Sequence, residues 1–236
     1  MQLVDITEIK GKIVVKTGLR IGAGDTEMRI GGVDNTVIKH PHTLEPYIPG
    51  SSLKGKVRSL LEMKSGLMGK TRGEPLGFKH LEGVDEEKRK EGEKILRLFG
   101  TSGAEGEEIA AIWPTRVSFA DCPLDEAWRN QAIKEGWAFT EVKMENAINR
   151  IQGTALNPRP VERVPADTVF SFSVTLKKLD IDDGLNLEKL LLLGLKLLEY
   201  DALGGCGSRG YGRIRFQLEE PYQSRLDSIQ PFARET

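Results

Sequence analysis

Cysteine is scarce: the chain holds two, Cys122 and Cys206, far apart and in unlike surroundings. A disulfide framework is excluded, as is a zinc site built on cysteine, and the expected compartment is a reducing cytoplasm. Long apolar runs are missing too. The apolar run Leu190–Leu193, like every other in the chain, falls far short of the roughly 18–20 residues of a membrane helix, so no membrane partner is expected. The opening stretch Met1–Lys10 lacks the basic-then-apolar pattern of a secretory signal. Histidine occurs three times, as His40, His42 and His80. Two neighbouring histidines without a third ligand make no zinc site, and no Ser-His-Asp or Cys-His arrangement can be argued from spacing. Excess charge is absent: 34 Lys and Arg stand against 35 Asp and Glu, a net charge of −1. The total neither demands nor excludes a polyanionic partner, so the placing of the cations decides. No internal repeat or low-complexity tract is present.

What the chain has in plenty is glycine. Its 26 glycines concentrate in Gly18–Gly32, Gly50–Gly55 and Gly204–Gly212, as turns and close backbone approaches require. The length of 236 residues suits one elaborated domain. Lys12–Thr17 reads as a strand, followed by a long glycine-rich connection over Gly18–Thr43. Pro49–Glu62 reads as a helix that Ser51 or Ser52 can cap, with Leu53, Val57, Leu60 and Leu61 on one apolar stripe. Asp85–Phe99 is a charged helix, Ile112–Asp121 a strand with Arg116 and Ser118 on its polar side, and Leu124–Lys134 a short helix. Thr140–Pro165 is polar and rich in turn residues. Thr168–Leu176 alternates Phe170, Phe172, Val174 and Leu176 with small polar residues, a strand buried on one face. Leu187–Tyr200 is an apolar helix, Gly212–Leu218 a last strand, and Glu219–Thr236 a polar, extended tail. Without insertions the order is strand, helix, strand, strand, helix, strand. That order predicts an α+β, ferredoxin-like fold, with insertions at Met63–Ala110 and Leu124–Pro165.

Three places could carry chemistry. Gly205-Cys206-Gly207-Ser208-Arg209-Gly210 matches GxGxxG. A dinucleotide site needs a strand before it and a helix after it, and here the order is reversed. The loop is either a phosphate-binding run of backbone N–H groups, helped by the charges of Arg209 and Arg213, or a tight helix-to-strand connection. The helix at Pro49 offers an anion site at its N-terminus, with hydroxyls on Ser51 and Ser52 and cations on Lys54, Lys56 and Arg58. The alternative is an ordinary solvated helix face. Asp34, in Ile30-Gly31-Gly32-Val33-Asp34-Asn35, is a turn former, a metal ligand or a general base.

Taken together these segments resemble a known family. Gly18–Gly24, Ile30–Asn35 and Tyr47–Glu62 are similar to the RAMP-superfamily backbone subunit of CRISPR type III effector complexes, most of all the repeated subunit of the III-A (Csm) complex. Asn157–Pro165 resembles the family's hairpin insertion, and Leu203–Gly212 the superfamily's C-terminal glycine-rich loop. The resemblance implies one domain over residues 1–236: an RRM-like palm, a lid at 63–110 and a thumb hairpin within 124–165. It implies copies of the chain stacked as a filament on a guide CRISPR RNA, beside other type III subunits. Each thumb wedges into the guide–target duplex, and complementary target RNA is cleaved at regular intervals. Asp34 stands where the family has its target-RNA nuclease aspartate, in a reaction that needs Mg2+ or another divalent cation; the metal ligands themselves stay open. Ser51, Ser52, Lys54, Lys56 and Arg58 match the guide-binding helix, and Gly205, Gly207 and Arg209 the loop beside it. Arg20 stands where many relatives have histidine. It can hold phosphate but cannot act as a base, so a guide-backbone contact is implied. Three rivals stay in view: a non-catalytic RNA-binding scaffold, a guide-precursor processing enzyme, and an unrelated phosphate-binding protein, favoured only if no RNA co-purifies. The second commonly uses histidine, and the histidines here lie outside the matched motifs.

Overall fold

A computed structural model describes residues 1–24, 36–101 and 112–232. In chain order its strands are β1 (Leu3–Val15), β2 (Val117–Phe119), β3 (Glu141–Ile148), β4 (Ala155–Arg163), β5 (Val169–Leu179) and β6 (Ile214–Leu218). Its helices are α1 (Gly50–Lys64), α2 (Glu86–Phe99), α3 (Glu126–Glu135), α4 (Leu187–Tyr200) and α5 (Tyr222–Ser228). Four strands form one antiparallel sheet in the order β2-β5-β1-β6, and β3 and β4 form a separate antiparallel hairpin. The fold is mixed α+β.

The core follows from two periodicities. Phe170, Phe172, Val174 and Leu176 of β5, with Ile9, Ile13 and Val15 of β1 and Phe216 of β6, turn one sheet face inward. Against it lie the α1 stripe of Leu53, Val57, Leu60 and Leu61, and Leu191, Leu195 and Leu198 of α4. Each such side chain contributes about 1.5–3 kcal/mol when fully buried. Asn186 caps α4 by accepting from the Lys189 N–H at 2.9 Å. Asp85 caps α2 through the Lys88 N–H at 2.9 Å, with Glu86 and Glu87 in the first turn where the helix dipole favours them.

Four expectations are corrected. The first strand begins at Leu3, not Lys12, because its pairing with β5 runs from Leu3 to Val14. Neither serine caps α1. The N-cap is Pro49, and the Gly50 N–H donates instead to Asp121 Oδ1 at 2.8 Å. A side chain at Gly50 would start 2.3 Å from the Phe119 carbonyl, so the helix can sit this close to β2 only on glycine. Arg116 is not on a polar face: it is fully buried, and its guanidinium grips both oxygens of Asp182 at 2.9 Å. The tail is not extended throughout, because α5 forms where Leu226 is buried and Gln223 accepts from the Leu218 N–H at 2.7 Å.

Candidate nucleic-acid interface

The topology gathers the loops that the sequence singles out. β1 ends where β5 and β6 begin, since Val14 pairs with Val169 and with Arg215. The same end of the sheet therefore receives the connection after β1, the base of the β3–β4 hairpin and the glycine-rich turn between α4 and β6. The start of α1 comes to this side as well: Lys56 pairs with Asp201, just past α4, at 2.7 Å.

Two of the glycine clusters meet there. The Gly205 N–H donates to the Arg20 carbonyl at 2.8 Å, and the Gly212 N–H to the Gly18 carbonyl at 3.0 Å. Gly204 sits at φ 75°, and a Cβ on it would lie 2.2 Å from the Arg20 carbonyl oxygen. Only glycine meets both conditions. Arg20 Nη1 reaches Cys206 Sγ at 3.9 Å. Arg209 donates to the same sulfur at 2.6 Å and pairs with Glu145 of β3 at 3.1 Å. Arg20, Gly205, Gly207 and Arg209 thus form one structural unit, and through Glu145 that unit is fastened to the hairpin.

The hairpin base is built on two further residues. Tyr211 is fully buried, with Lys143 Nζ 4.8 Å and the Arg163 guanidinium 4.9 Å from its ring centre. Burial, reinforced by the Glu145 carboxylate, pushes its phenol up to about 12. Glu162, on β4, accepts from the Val37 N–H at 3.0 Å, Lys39 Nζ at 2.6 Å and the Thr140 hydroxyl at 2.8 Å. Burial works against its charge, but these donors outweigh it and hold its pKa below the usual carboxylate value. At the far end, Asn149 Oδ1 accepts from the Ile151 and Gln152 N–H groups at 3.0 and 3.1 Å, closing the tip. Ile151 stands there 96% exposed.

On α1 the expected contacts divide. Ser51 is exposed and Ser52 half-buried. Lys54 is half-buried, and its side chain makes no hydrogen bond or ion pair among the described residues. Burial, and then the neighbouring Arg58 charge, lower its pKa. A cation in this state gains from an arriving anion. Lys54 borders a cleft of about 480 Å³ between α1 and residues 68–75, together with Ser51, Arg58 and Thr71. Arg58 is tied down: it pairs with Glu62 at 2.6 Å and donates to the Leu76 and Gly100 carbonyls at 2.6 and 3.0 Å. Glu62 in turn accepts from the Leu76 N–H at 3.1 Å. Arg58 and Glu62 therefore fasten the 63–101 segment to α1. Asp34 lies outside the described residues. Among the described residues, no group of three or more His, Cys, Asp or Glu side chains could hold a metal ion, and no helix is long and apolar enough to cross a membrane.

Tyr211, Glu145, Glu162 and Lys39 were not singled out by sequence. Tyr211 and Glu162 stand inside the quoted motifs, but their partners lie tens of residues away, where spacing gives no signal.

An α+β chain that gathers a glycine loop, a basic helix start and a hairpin base at one sheet end matches one family. The chain belongs to the RAMP superfamily, whose family model matches residues 12–215. Within it the chain is a member of the Csm3 group of CRISPR endoribonucleases. The "CRISPR system Cms endoribonuclease Csm3" of Enterococcus italicus is 38% identical over 211 residues, covering 89% of each chain. Its counterpart in Methanothermobacter thermautotrophicus is 40% identical over 225 residues, covering 89% of this chain and 82% of the relative. That of Mycobacterium tuberculosis is 37% identical over 222 residues, covering 89% and 85%. A type III-B Cmr-beta complex solved bound to cognate target RNA has a chain of similar fold, with TM-score 0.55 and 17% identity. The match covers 91% of this chain and 60% of that one.

Proposed function

We infer that this chain is a repeated backbone subunit of a type III CRISPR effector complex, binding guide CRISPR RNA and cleaving complementary target RNA at regular intervals. One observation carries the reading. In a member of the Csm3 endoribonuclease group, the glycine loop, Arg20, the start of α1 and the hairpin base converge on one end of the sheet. The strand order and the two helices on one face support a ferredoxin-like, RRM-like palm within a single domain over 1–236. On this reading residues 63–110 are the lid, clamped to α1 by Arg58, and β3–β4 is the thumb within 124–165. Lys54, Ser51 and Ser52 grip guide phosphates, and Lys56 adds charge beside them. Arg20 and the amides around Gly205 and Gly207 hold the adjoining backbone. Arg209 sets the angle between loop and thumb. Ile151 is the apolar tip that enters the guide–target duplex.

Asp34 is the catalytic residue. An ordinary aspartate is ionised at neutral pH, with a pKa of about 3.9. It can therefore orient the attacking RNA 2′-hydroxyl or accept its proton. Mg2+ commonly takes only one or two protein carboxylates, and would draw on Asp34 together with RNA phosphate oxygens and water. When bound it supplies charge neutralisation at the scissile phosphate. Further copies of the chain, other type III subunits and a cytoplasmic location complete the reading. The test is to purify the native assembly, extract its RNA and present a complementary target. A discrete guide RNA and a ladder of evenly spaced products are expected. An assembly free of RNA would overturn the proposal.

A further inference from the structure

The sheet carries a second cationic surface, on the face turned away from α1 and α4. Along β1, Ile9, Ile13 and Val15 are buried, while Lys10, Lys12 and Lys16 are exposed in alternation with them. On and beside β6, Arg213 and Arg215 are exposed in alternation with buried Ile214 and Phe216. The register sets Arg215 against Val14 and Gln217 against Lys12. The Lys16 N–H donates to the Arg213 carbonyl at 2.7 Å, which makes these two cations cross-strand neighbours. Like charges placed so are destabilising unless something else compensates.

The same face supplies its own contrast. Lys10 pairs with Glu8 at 3.0 Å, and Lys12 pairs with Asp125 at 3.0 Å. The side chains of Lys16, Arg213 and Arg215 have no hydrogen bond or ion pair among the described residues. Water solvates these exposed cations, and an arriving polyanion relieves their mutual repulsion further. Position says which polyanion. Arg213 follows the glycine loop by a single residue, Gly212, so the three cations continue the same sheet end onto its other face. Arginine's planar fork fits phosphate oxygens in pairs.

We propose that Lys16, Arg213 and Arg215 form an additional RNA-backbone site, which takes the phosphates of the strand leaving the glycine loop without regard to base sequence. This rests on the guide-binding reading above. An acidic protein surface is the competing occupant, and the experiment separates the two. The full-length chain is titrated over a salt series against fluorescent oligo-uridine and oligo-adenosine of equal length, and association between copies is followed by sedimentation. The chains compared are wild type, the triple variant Lys16→Gln/Arg213→Gln/Arg215→Gln, and the single control Lys12→Gln. The slope of log affinity against log salt should flatten by about 2 in the triple variant, at about 0.7 per lost contact with a single strand. The control should keep the wild-type slope, because Lys12 is already neutralised by Asp125. Free of RNA, the control should melt close to wild type and the triple variant at or slightly above it, because its cross-strand repulsion is relieved. Four outcomes overturn the proposal: an unchanged slope in the triple variant, an equal loss in the control, dependence on base sequence, or intact RNA binding with loss of association between copies. The last would assign the face to a protein partner. A wild-type chain that binds no RNA at all would instead overturn the guide-binding reading.

Discussion

Replacing Glu162 by alanine removes the acceptor that joins the base of the β3–β4 hairpin to the chain around Val37 and Lys39. Glu162 is 8% exposed and serves the Val37 N–H, Lys39 and Thr140. Orphaning one partner of a buried ion pair costs about 3–5 kcal/mol when that partner stays buried. Lys39 keeps 31% of its side chain exposed, so it can turn to water. The expected loss is therefore about 2–3 kcal/mol, with roughly 1 of it from the stranded Val37 N–H. In a chain of this size that is about 4–12 °C in Tm. The pH dependence has a definite sign. The folded pKa of Glu162 is depressed, so its contribution is complete above the unfolded value, about 4.3, and fades as pH falls through the folded value. Urea melts of wild type and Glu162→Gln should differ by about 1 kcal/mol at pH 7, and the difference should shrink in acid. A loss below ~0.5 kcal/mol for Glu162→Ala, within the scatter of ordinary surface changes, would refute the reasoning, as would a difference that widens in acid.

Lys54, with its lowered pKa, exposes more free amine at a given pH than an ordinary lysine. It should be acylated faster than Lys56 at pH 8, and bound RNA should suppress that reaction; peptide mass spectrometry reads both effects. Asp182→Ala leaves Arg116 charged and buried, and should cost about 3–5 kcal/mol in denaturant melts, most of which Arg116→Met with Asp182→Leu should restore. Deleting Ile148–Leu156 shortens only the exposed hairpin end. The variant should melt cooperatively, near the wild-type temperature, yet give target products of altered spacing; an unaltered ladder would count against the thumb reading.

What the sequence makes legible is whatever repeats at short range. The alternation of Phe170, Phe172, Val174 and Leu176 and the stripe of Leu53, Val57, Leu60 and Leu61 locate β5 and α1 correctly, because each pattern records one buried face. The first half of β1 gives no such pattern. Leu3, Val4 and Ile6 are exposed, so its strand state comes from pairing with β5 and not from burial of an alternate face. The site divides the same way. The glycine clusters mark the loop and the approach to Arg20, since close contact of backbones demands small residues. The clamp made by Glu145 and Arg209, the hub at Glu162 and the tying down of Arg58 join residues distant in sequence. Arg58 reads as one more free cation of α1 until Glu62, Leu76 and Gly100 are seen around it.

Cutting of the target by the chain itself turns on Asp34, and the variant Asp34→Ala decides it. The variant is assembled on its guide, and three quantities are measured: melting temperature, target affinity, and single-turnover cleavage with and without EDTA. A carboxylate among phosphates adds little to guide or target binding, so assembly and affinity should match wild type. Cleavage should fall by at least the ~10²-fold of a lost acid–base group, and EDTA should bring the wild-type complex down to the same level. Cleavage at the wild-type rate, with a lowered melting temperature, would make Asp34 a turn residue and the chain a scaffold.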